Sequence, residues 1–455
     1  MTEVITSRGV RRRDWILIFF LAFAYVLSGV DRQILAFVAP AVKSDLALTD
    51  LQLGLLQGFA FSLFYAVAGM PMGVLIDRFS RTKVMGAAVA FWSAMTLGCG
   101  LAPSLALLAV ARMGVGAGEA ALTPGAYSMM ADVFPRRLLG RASMIYALGA
   151  PVSVAVAAAI SGWVLAAGNA DGRLALPVIG NFAAWRVAFA VAALPGIVVS
   201  VGLFLLRDPT RKGGHVDKTS SSRLFTFLAG RGRSHLVFAL ASTAVVGIHY
   251  AVSAWSPIVL SRSFDWSPMQ VASALGSVGL AGGTLGCLMG GFIAERALRQ
   301  ASTRPLTATM TVMGIALLVL AIACLAIPNA VSFIALVGTA TTITSMMLML
   351  MPTFLQTITP PALRGRMTGF FMFANVGIGA GVGPTLVGAV SGHLLSSAQI
   401  LSSLGSVFIA LSLVSVGAFA VLHRLLPATV SIQSPEAAAR DRDVASTERI
   451  DLSVR

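Results

Sequence analysis

The sequence predicts an all-α integral membrane protein whose twelve transmembrane helices form two pseudo-symmetric six-helix bundles. Three observations lead there. The first is composition: 57% of the 455 residues are hydrophobic and 11% charged, where soluble globular domains carry about 25% charged residues. The second is the recurrence of apolar runs of about 20 residues, the length that crosses a hydrocarbon core. They fall near 15–39, 52–76, 84–101, 104–131, 142–167, 185–206, 235–260, 269–293, 306–326, 331–356, 367–390 and 400–423. The third is an internal repeat. TDLQ at 49–52 returns as SPMQ at 267–270 and GVLIDR at 73–78 as GFIAER at 291–296, each 218 residues on. PRRLLGR at 135–141 returns as PPALRGR at 360–366, 225 residues on. The matches keep their order and fall on corresponding loops, so a six-helix unit is duplicated. Such a duplication places a binding site between the halves near mid-membrane.

The repeat divides the chain into a first bundle at 1–206, a linker at 207–234, a second bundle at 235–424 and a tail at 425–455. The linker is the longest polar interruption, and the tail has little to bury and is expected to be disordered. A net charge of +15 and a pI near 11 would suggest nucleic acid in a soluble chain, but position excludes that partner. Of the 33 Lys and Arg, 27 lie in alternate inter-span segments that include both ends of the chain; the intervening segments hold Lys43, Arg173, Arg186 and Arg262. Basic residues mark the cytoplasmic side, so the expectation is a multi-pass protein of the cell (inner) membrane with both termini cytoplasmic. The first run is too long for a signal peptide's apolar region and is expected to remain as a span. Cys99, Cys287 and Cys324 lie far apart in apolar runs, with no metal-ligand spacing, and read as small buried side chains.

GVLIDRFSRTK at 73–83 resembles the signature loop between helices two and three of the major facilitator superfamily, with Gly73, Asp77, Arg78, Arg81 and Lys83 in matching places and departures at Ser80 and Thr82. ARMGVGAGEA at 111–120 resembles that superfamily's Arg-led helix-four signature. A narrower resemblance is to the Spinster-like branch, the lysolipid and sphingosine-1-phosphate transporters and their bacterial relatives. It rests on Asp31-Arg32, LTDLQLGLLQ at 48–57, DRFSR at 77–81 and GEAALTPGAYSMMADVFPRRLLGRA at 118–142, with Ser28 where members often have Asn. The resemblance implies a monomeric secondary transporter, not an enzyme, that moves an amphiphilic lipid-like substrate by alternating access with protons as the coupling ion and no other cofactor. It also implies a gate built on Gly73, Asp77, Arg78 and Arg81. A drug exporter and a proton-coupled carrier of organic anions are same-class alternatives, since one fold hosts all of these. A channel or non-transporting receptor is a different-class alternative. The chain contains no H-E-x-x-H, G-x-S-x-G or P-loop that would support an intramembrane enzyme.

Charges inside apolar runs mark the candidate site. An isolated one costs about 2.5–3.5 kcal/mol even on the gentlest insertion scale, so partners or a water-filled cavity are expected. At 1.5 Å per residue, Asp31 lies about 13 Å and Arg112 about 12 Å from the same side, and the two are expected to pair. Arg32 is rotated about 100° from Asp31 and faces something else. Glu119 follows Arg112 by seven residues and shares its face, about 10 Å deeper. Burial and a neighbouring Arg act oppositely on a carboxylate's proton affinity, so Asp31 and Glu119 are candidates for proton coupling with Arg112 as the competing partner. A fixed structural ion pair is the alternative. Arg32 and Arg112, the intramembrane cations, are candidates for an anionic head group. Tyr25, Gln57, His249, Trp255 and Asn375 are candidates to line the cavity beside Glu119, or to bond between helices.

Overall fold

The computed structural model describes residues 12–169, 171–176, 180–211, 232–300, 303–360, 363–394 and 399–426. Most of the expected linker and nearly all of the expected tail lie outside them. Among the described residues twelve helical spans are long and apolar enough to cross a membrane: α1 Arg12–Asp45, α2 Asp50–Arg78, α3 Arg81–Leu101, α4 Leu105–Val133, α5 Leu138–Ala166, α6 Ala184–Leu205, α7 Arg233–Ser263, α8 Pro268–Ala297, α9 Arg304–Cys324, α10 Ala330–Ile358, α11 Arg364–Gly392 and α12 Ile400–Leu425. The protein is therefore a multi-pass membrane protein. Several spans outrun their apolar stretches because the backbone stays helical into polar residues at the membrane edge; α1 passes the expected end at 39 by six residues.

The repeat is written into the helix caps. Thr49 and Gln52 form a reciprocal capping box at the start of α2, and Ser267 and Gln270 repeat it at α8. Such boxes satisfy two of the N–H groups that a helix start leaves unpaired. Just ahead of the two boxes stand Ala47 and Asp265, the non-glycine residues with positive φ among the described residues, at 49° and 53°. All three relationships keep the offset of 218. Ser104 caps α4 through Leu107 N, and Asn329, 225 residues on, caps α10 through Ser332 N.

Two spans break where a proline stands three residues into the second piece. In α4 the first piece ends at Glu119 and the second starts at Leu122; in α5 the second starts at Gly149. Pro124 and Pro151 supply no N–H, and their rings clash with the carbonyl four residues back. The break in α4 sets Glu119 at the end of a helix, and α11 carries π turns at Phe373–Gly379 and Val390–Leu394. Between α5 and α6, strands β1 Arg173–Leu176 and β2 Gly180–Ala183 pair antiparallel, with Arg173 opposite Ala183. The hairpin falls between the expected spans, and four-residue strands leave little alternation for sequence to reveal.

The halves meet at the end away from the chain termini. The hydrogen bonds that join them among the described residues are Ser62 to the Gly377 carbonyl, Ser253 to Gln33, Thr385 to the Gly54 carbonyl, and bonds from Arg262 and Ser391 to Asp50. Of these, the bond between Ser62 and Gly377 lies nearest the termini. Gly58 shows how close the approach is: a Cβ there would collide with the Gly381 carbonyl. Toward the termini, Gly73, Gly140, Gly291 and Gly365 would meet no atom within 4 Å.

Candidate functional site

Near mid-membrane, α1 and α4 bring together the four intramembrane charges of the first half, but not in the expected pairs. Arg112 Nη1 donates to the main-chain carbonyl of Asp31 at 2.8 Å, and no ion pair joins the two side chains. Arg32 is the residue that pairs with a carboxylate: its Nε donates to Glu119 Oε2 at 2.6 Å. Helical side chains lean toward the N-terminal turn. Arg32 folds back over Ser28, to which its Nη2 donates at 2.9 Å, and so reaches Glu119. Arg112, on an antiparallel helix, leans the other way. Helix periodicity gives the position of each charge along its helix, whereas the partners depend on this lean.

Ser28 also donates to Glu119 Oε2, at 2.7 Å. Glu119 Oε1, Asp31 Oδ1 and Arg112 Nε are buried with no hydrogen-bond partner. Each carboxyl thus keeps one oxygen uncommitted, in an interior where buried polar groups are normally bonded. Trp92 and Thr96 of α3 face Asp31, and their own Nε1 and Oγ1 are unpartnered too. Phe61 lies between the two cations, 5.5 Å from the Arg32 guanidinium and 5.3 Å from that of Arg112, and Tyr65 lies 5.2 Å from Arg32. Aromatic faces attract cations without neutralising them. The Arg32 side chain keeps 16% exposure against 0% for Glu119, so Arg32 is the charge of this pair that a ligand can reach.

The remaining candidates separate. Tyr25 stacks on Tyr146 with ring centroids 4.5 Å apart. Gln57 has both amide atoms buried and unbonded. His249 Nδ1 lies 3.0 Å from Thr344 Oγ1. Trp255 Nε1 donates to the Pro384 carbonyl at 2.9 Å, and Asn375 Oδ1 accepts from Ser242 and Thr243 at 2.9 and 3.3 Å. The Trp255 N–H and the Asn375 amide oxygen are thus bonded between helices of the second half.

Among the described residues, the bonds at the expected gate residues run to the first half and to the start of the expected linker. Arg81 is fully buried and bonds Asp132, Ser128, Asp208 and the Pro209 carbonyl. Arg211 donates to the carbonyls of Ile76, Asp77 and Phe79, capping the end of α2. Asp77 and Arg78 are exposed.

A contact between the halves that sequence reasoning missed centres on Asp50. It is buried and accepts from Lys43, from Arg262 at 3.0 and 3.2 Å, and from Ser391 at 2.7 Å. A signal was present. Lys43 and Arg262 are two of the four basic residues on the side that is otherwise almost free of them, and a third, Arg186, pairs with Asp45 at 3.2 Å.

With two repeated bundles, a seam closed at one end and a charged centre between first and fourth helices, the chain was compared with known proteins. A family model of the Major Facilitator Superfamily matches residues 21–384. The chain belongs to the major facilitator superfamily. This superfamily member is a transporter and not an enzyme. It is 28% identical to an MFS-type efflux pump of Mycolicibacterium smegmatis over 84% of this chain and 86% of that one. It is 27% identical to the sphingosine-1-phosphate transporter SPNS2 of Xenopus tropicalis over 53% of this chain, an alignment spanning 45% of the frog protein. A crystal structure of a bacterial homolog to the human lysosomal transporter Spinster, inward-facing and unoccupied, superposes with a TM-score of 0.73 at 23% identity, covering 91% of this chain and 97% of that one. That likeness shows the fold, and the relatives include the Spinster proteins that the first-half motifs resemble.

Proposed function

We propose that this transporter moves an amphiphilic, lipid-like anion of the lysolipid or sphingosine-1-phosphate type across the membrane by proton-coupled alternating access, working as a monomer in the cell (inner) membrane with both termini cytoplasmic. The observation that carries the reading is the Arg32–Glu119 pair, partly exposed on its cationic side and buried on its acidic side. A proton on Glu119 weakens its hold on Arg32, and Arg32 then meets an anionic head group with a planar fork that bonds two oxygens at once. Asp31, with a free Oδ1 beside Arg112, offers a second proton site. The closed Asp50 end and the wider end near the termini are the two gates that alternate. The likeness to the frog sphingosine-1-phosphate transporter supports a lipid phosphate; the likeness to the mycobacterial efflux pump supports the second reading, drug export.

Purified protein in liposomes tests the proposal. Counterflow of labelled lysophosphatidic acid, with accumulation when a pH gradient is imposed, is the expected result. Exchange indifferent to the gradient would remove the proton coupling. Exchange of cationic drugs in place of the lipid would favour the second reading.

A further inference from the structure

The duplication allows the first-half site to be looked up in the second half. With the offset of 218 that relates the capping boxes of α2 and α8, Asp31 corresponds to His249 and Arg32 to Tyr250, with Gly29 matching Gly247. With the offset of 225 that relates the caps of α4 and α10, Glu119 corresponds to Thr344. The counterparts are in contact: His249 Nδ1 lies 3.0 Å from Thr344 Oγ1. In the first half Arg32, not Asp31, bonds Glu119, so the second half joins its first and fourth helices through the neighbouring position, with an imidazole and a hydroxyl in place of the charges.

The hydrogen bonds around Thr344 fix the polarity of that imidazole. The Thr344 hydroxyl has one proton, and it is directed at carbonyls of its own helix, Ala340 at 2.9 Å and Thr341 at 3.2 Å. Thr344 Oγ1 therefore accepts from His249, and Nδ1 carries the hydrogen. In a neutral imidazole the other nitrogen is then an acceptor. Nε2 makes no hydrogen bond among the described residues, and it is absent from their buried unpartnered atoms. It is an accessible lone pair near mid-membrane. The two sites face one another across the seam, since Gln33, next to Arg32, accepts from Ser253, one turn beyond His249, at 2.9 Å. Tyr250, edge-on to the His249 ring at 5.6 Å, is near enough to Arg32 to feel its charge.

We infer that His249 is a hydrogen-bond-accepting subsite facing the Arg32 cation, and that the transported molecule carries an anionic group together with an O–H or primary ammonium donor. The inference rests on the reading of Arg32 as the anion site. A lysolipid phosphate with a free hydroxyl and a polyhydroxy acid both present this chemistry; alkyl phosphates and simple carboxylates lack the donor.

Binding to the purified full-length protein at pH 8 tests it with matched probes: lauroyl lysophosphatidic acid against its 2-deoxy analogue, and gluconate against hexanoate. The wild type is expected to prefer the hydroxylated member of at least one pair about tenfold, the size of one hydrogen bond to a buried acceptor, and the responding pair identifies the source. His249→Phe removes the preference by weakening only the hydroxylated probe. His249→Gln, whose amide oxygen reaches the Nε2 position, keeps most of it, and His249→Asn, whose amide ends near Nδ1, does not. Equal affinity within both pairs, failure of every hydroxylated probe to bind, or equal weakening of both members by His249→Asn overturns the subsite. Arg32→Gln separates the two readings: it is expected to weaken both members of a pair and leave their ratio intact. Unchanged affinities in that variant would count against the anion site, while the ratio still reports on His249.

Discussion

Arg32 on the first helix donates at 2.6 Å to Glu119 at the break in the fourth, on the carboxylate oxygen that also accepts from Ser28 at 2.7 Å. The pair joins two consequences of sequence: an arginine that leans back one turn, and a proline that ends a helix at its partner. Breaking the pair from the acidic side therefore frees a cation in place and leaves the fold around it intact.

Glu119→Gln is expected to abolish accumulation driven by a pH gradient, since an amide cannot bind and release the proton. Counterflow should persist, with the anionic lipid bound several-fold more tightly because Arg32 has lost its competitor. Flux assays with and without a gradient check both halves of the statement.

Asp31→Asn should also lose gradient-driven accumulation, yet lower thermal stability less than loss of Arg112 does, because its Oδ1 makes no hydrogen bond and the amide keeps the shape. Arg112→Ala is expected to be worse than either. It strips the donor from the Asp31 carbonyl and leaves two buried carboxyls with one cation, a class of change that costs about 3–5 kcal/mol. Thermal unfolding in detergent separates the two variants. If the double variant Asp31→Asn with Glu119→Gln still accumulated substrate in response to a gradient, the coupling assignment would be lost.

Arg81→Ala should lower expression and stability more than turnover per folded molecule, because Arg81 is an internal tie among Asp132, Asp208 and Ser128. Arg81→Lys is not expected to rescue it, since an ammonium cannot span that set of acceptors. Asp77→Asn, at an exposed position, should lower turnover more than binding. Yield, melting temperature and transport by the purified variants distinguish a tie from a gate.

Asp50→Asn is expected to loosen the closed end. Hydrogen bonds to a charged group are worth about 1.5–3 kcal/mol each, and losing about one of them shifts the balance of states at least tenfold. Distances between spin labels at Ser44→Cys and Ser263→Cys, both exposed near that end, should gain a longer population. An unchanged distribution would show that glycine packing alone holds the seam.

Thr210→Cys, exposed just after α6, should resist an impermeant thiol reagent applied outside intact cells. Asp171→Cys, exposed beside the hairpin, should react. The opposite result would invert the topology.

The twelve spans were legible because a hydrocarbon core imposes one length on every crossing, and the duplication because capping chemistry left Thr49–Gln52 and Ser267–Gln270 as visible marks. Asp31, Arg32, Arg112 and Glu119 were legible as charges in apolar runs. Their partners were not, because helix periodicity gives depth and direction but not side-chain lean. The Asp50 cluster was missed for a different reason: its members come from four spans, and only their scarcity on that side distinguishes them. For Trp255 and Asn375, sequence offered both a cavity lining and a helix-to-helix bond, and the bonds to Pro384, Ser242 and Thr243 depended on partners that periodicity does not place.

Gly73 and Gly291 are repeat partners, as are Gly140 and Gly365, and all four have open space where a side chain would begin. Glycine in a helix is less favourable than alanine by about 0.8–1 kcal/mol, and nothing in this arrangement repays that deficit. If the ends near the termini close during an alternating-access cycle, these four positions are where the missing side chains would allow close approach. Alanine at any of them should raise the melting temperature of the protein as described while slowing its cycle, so engineering guided by stability alone would select carriers that have stopped turning over.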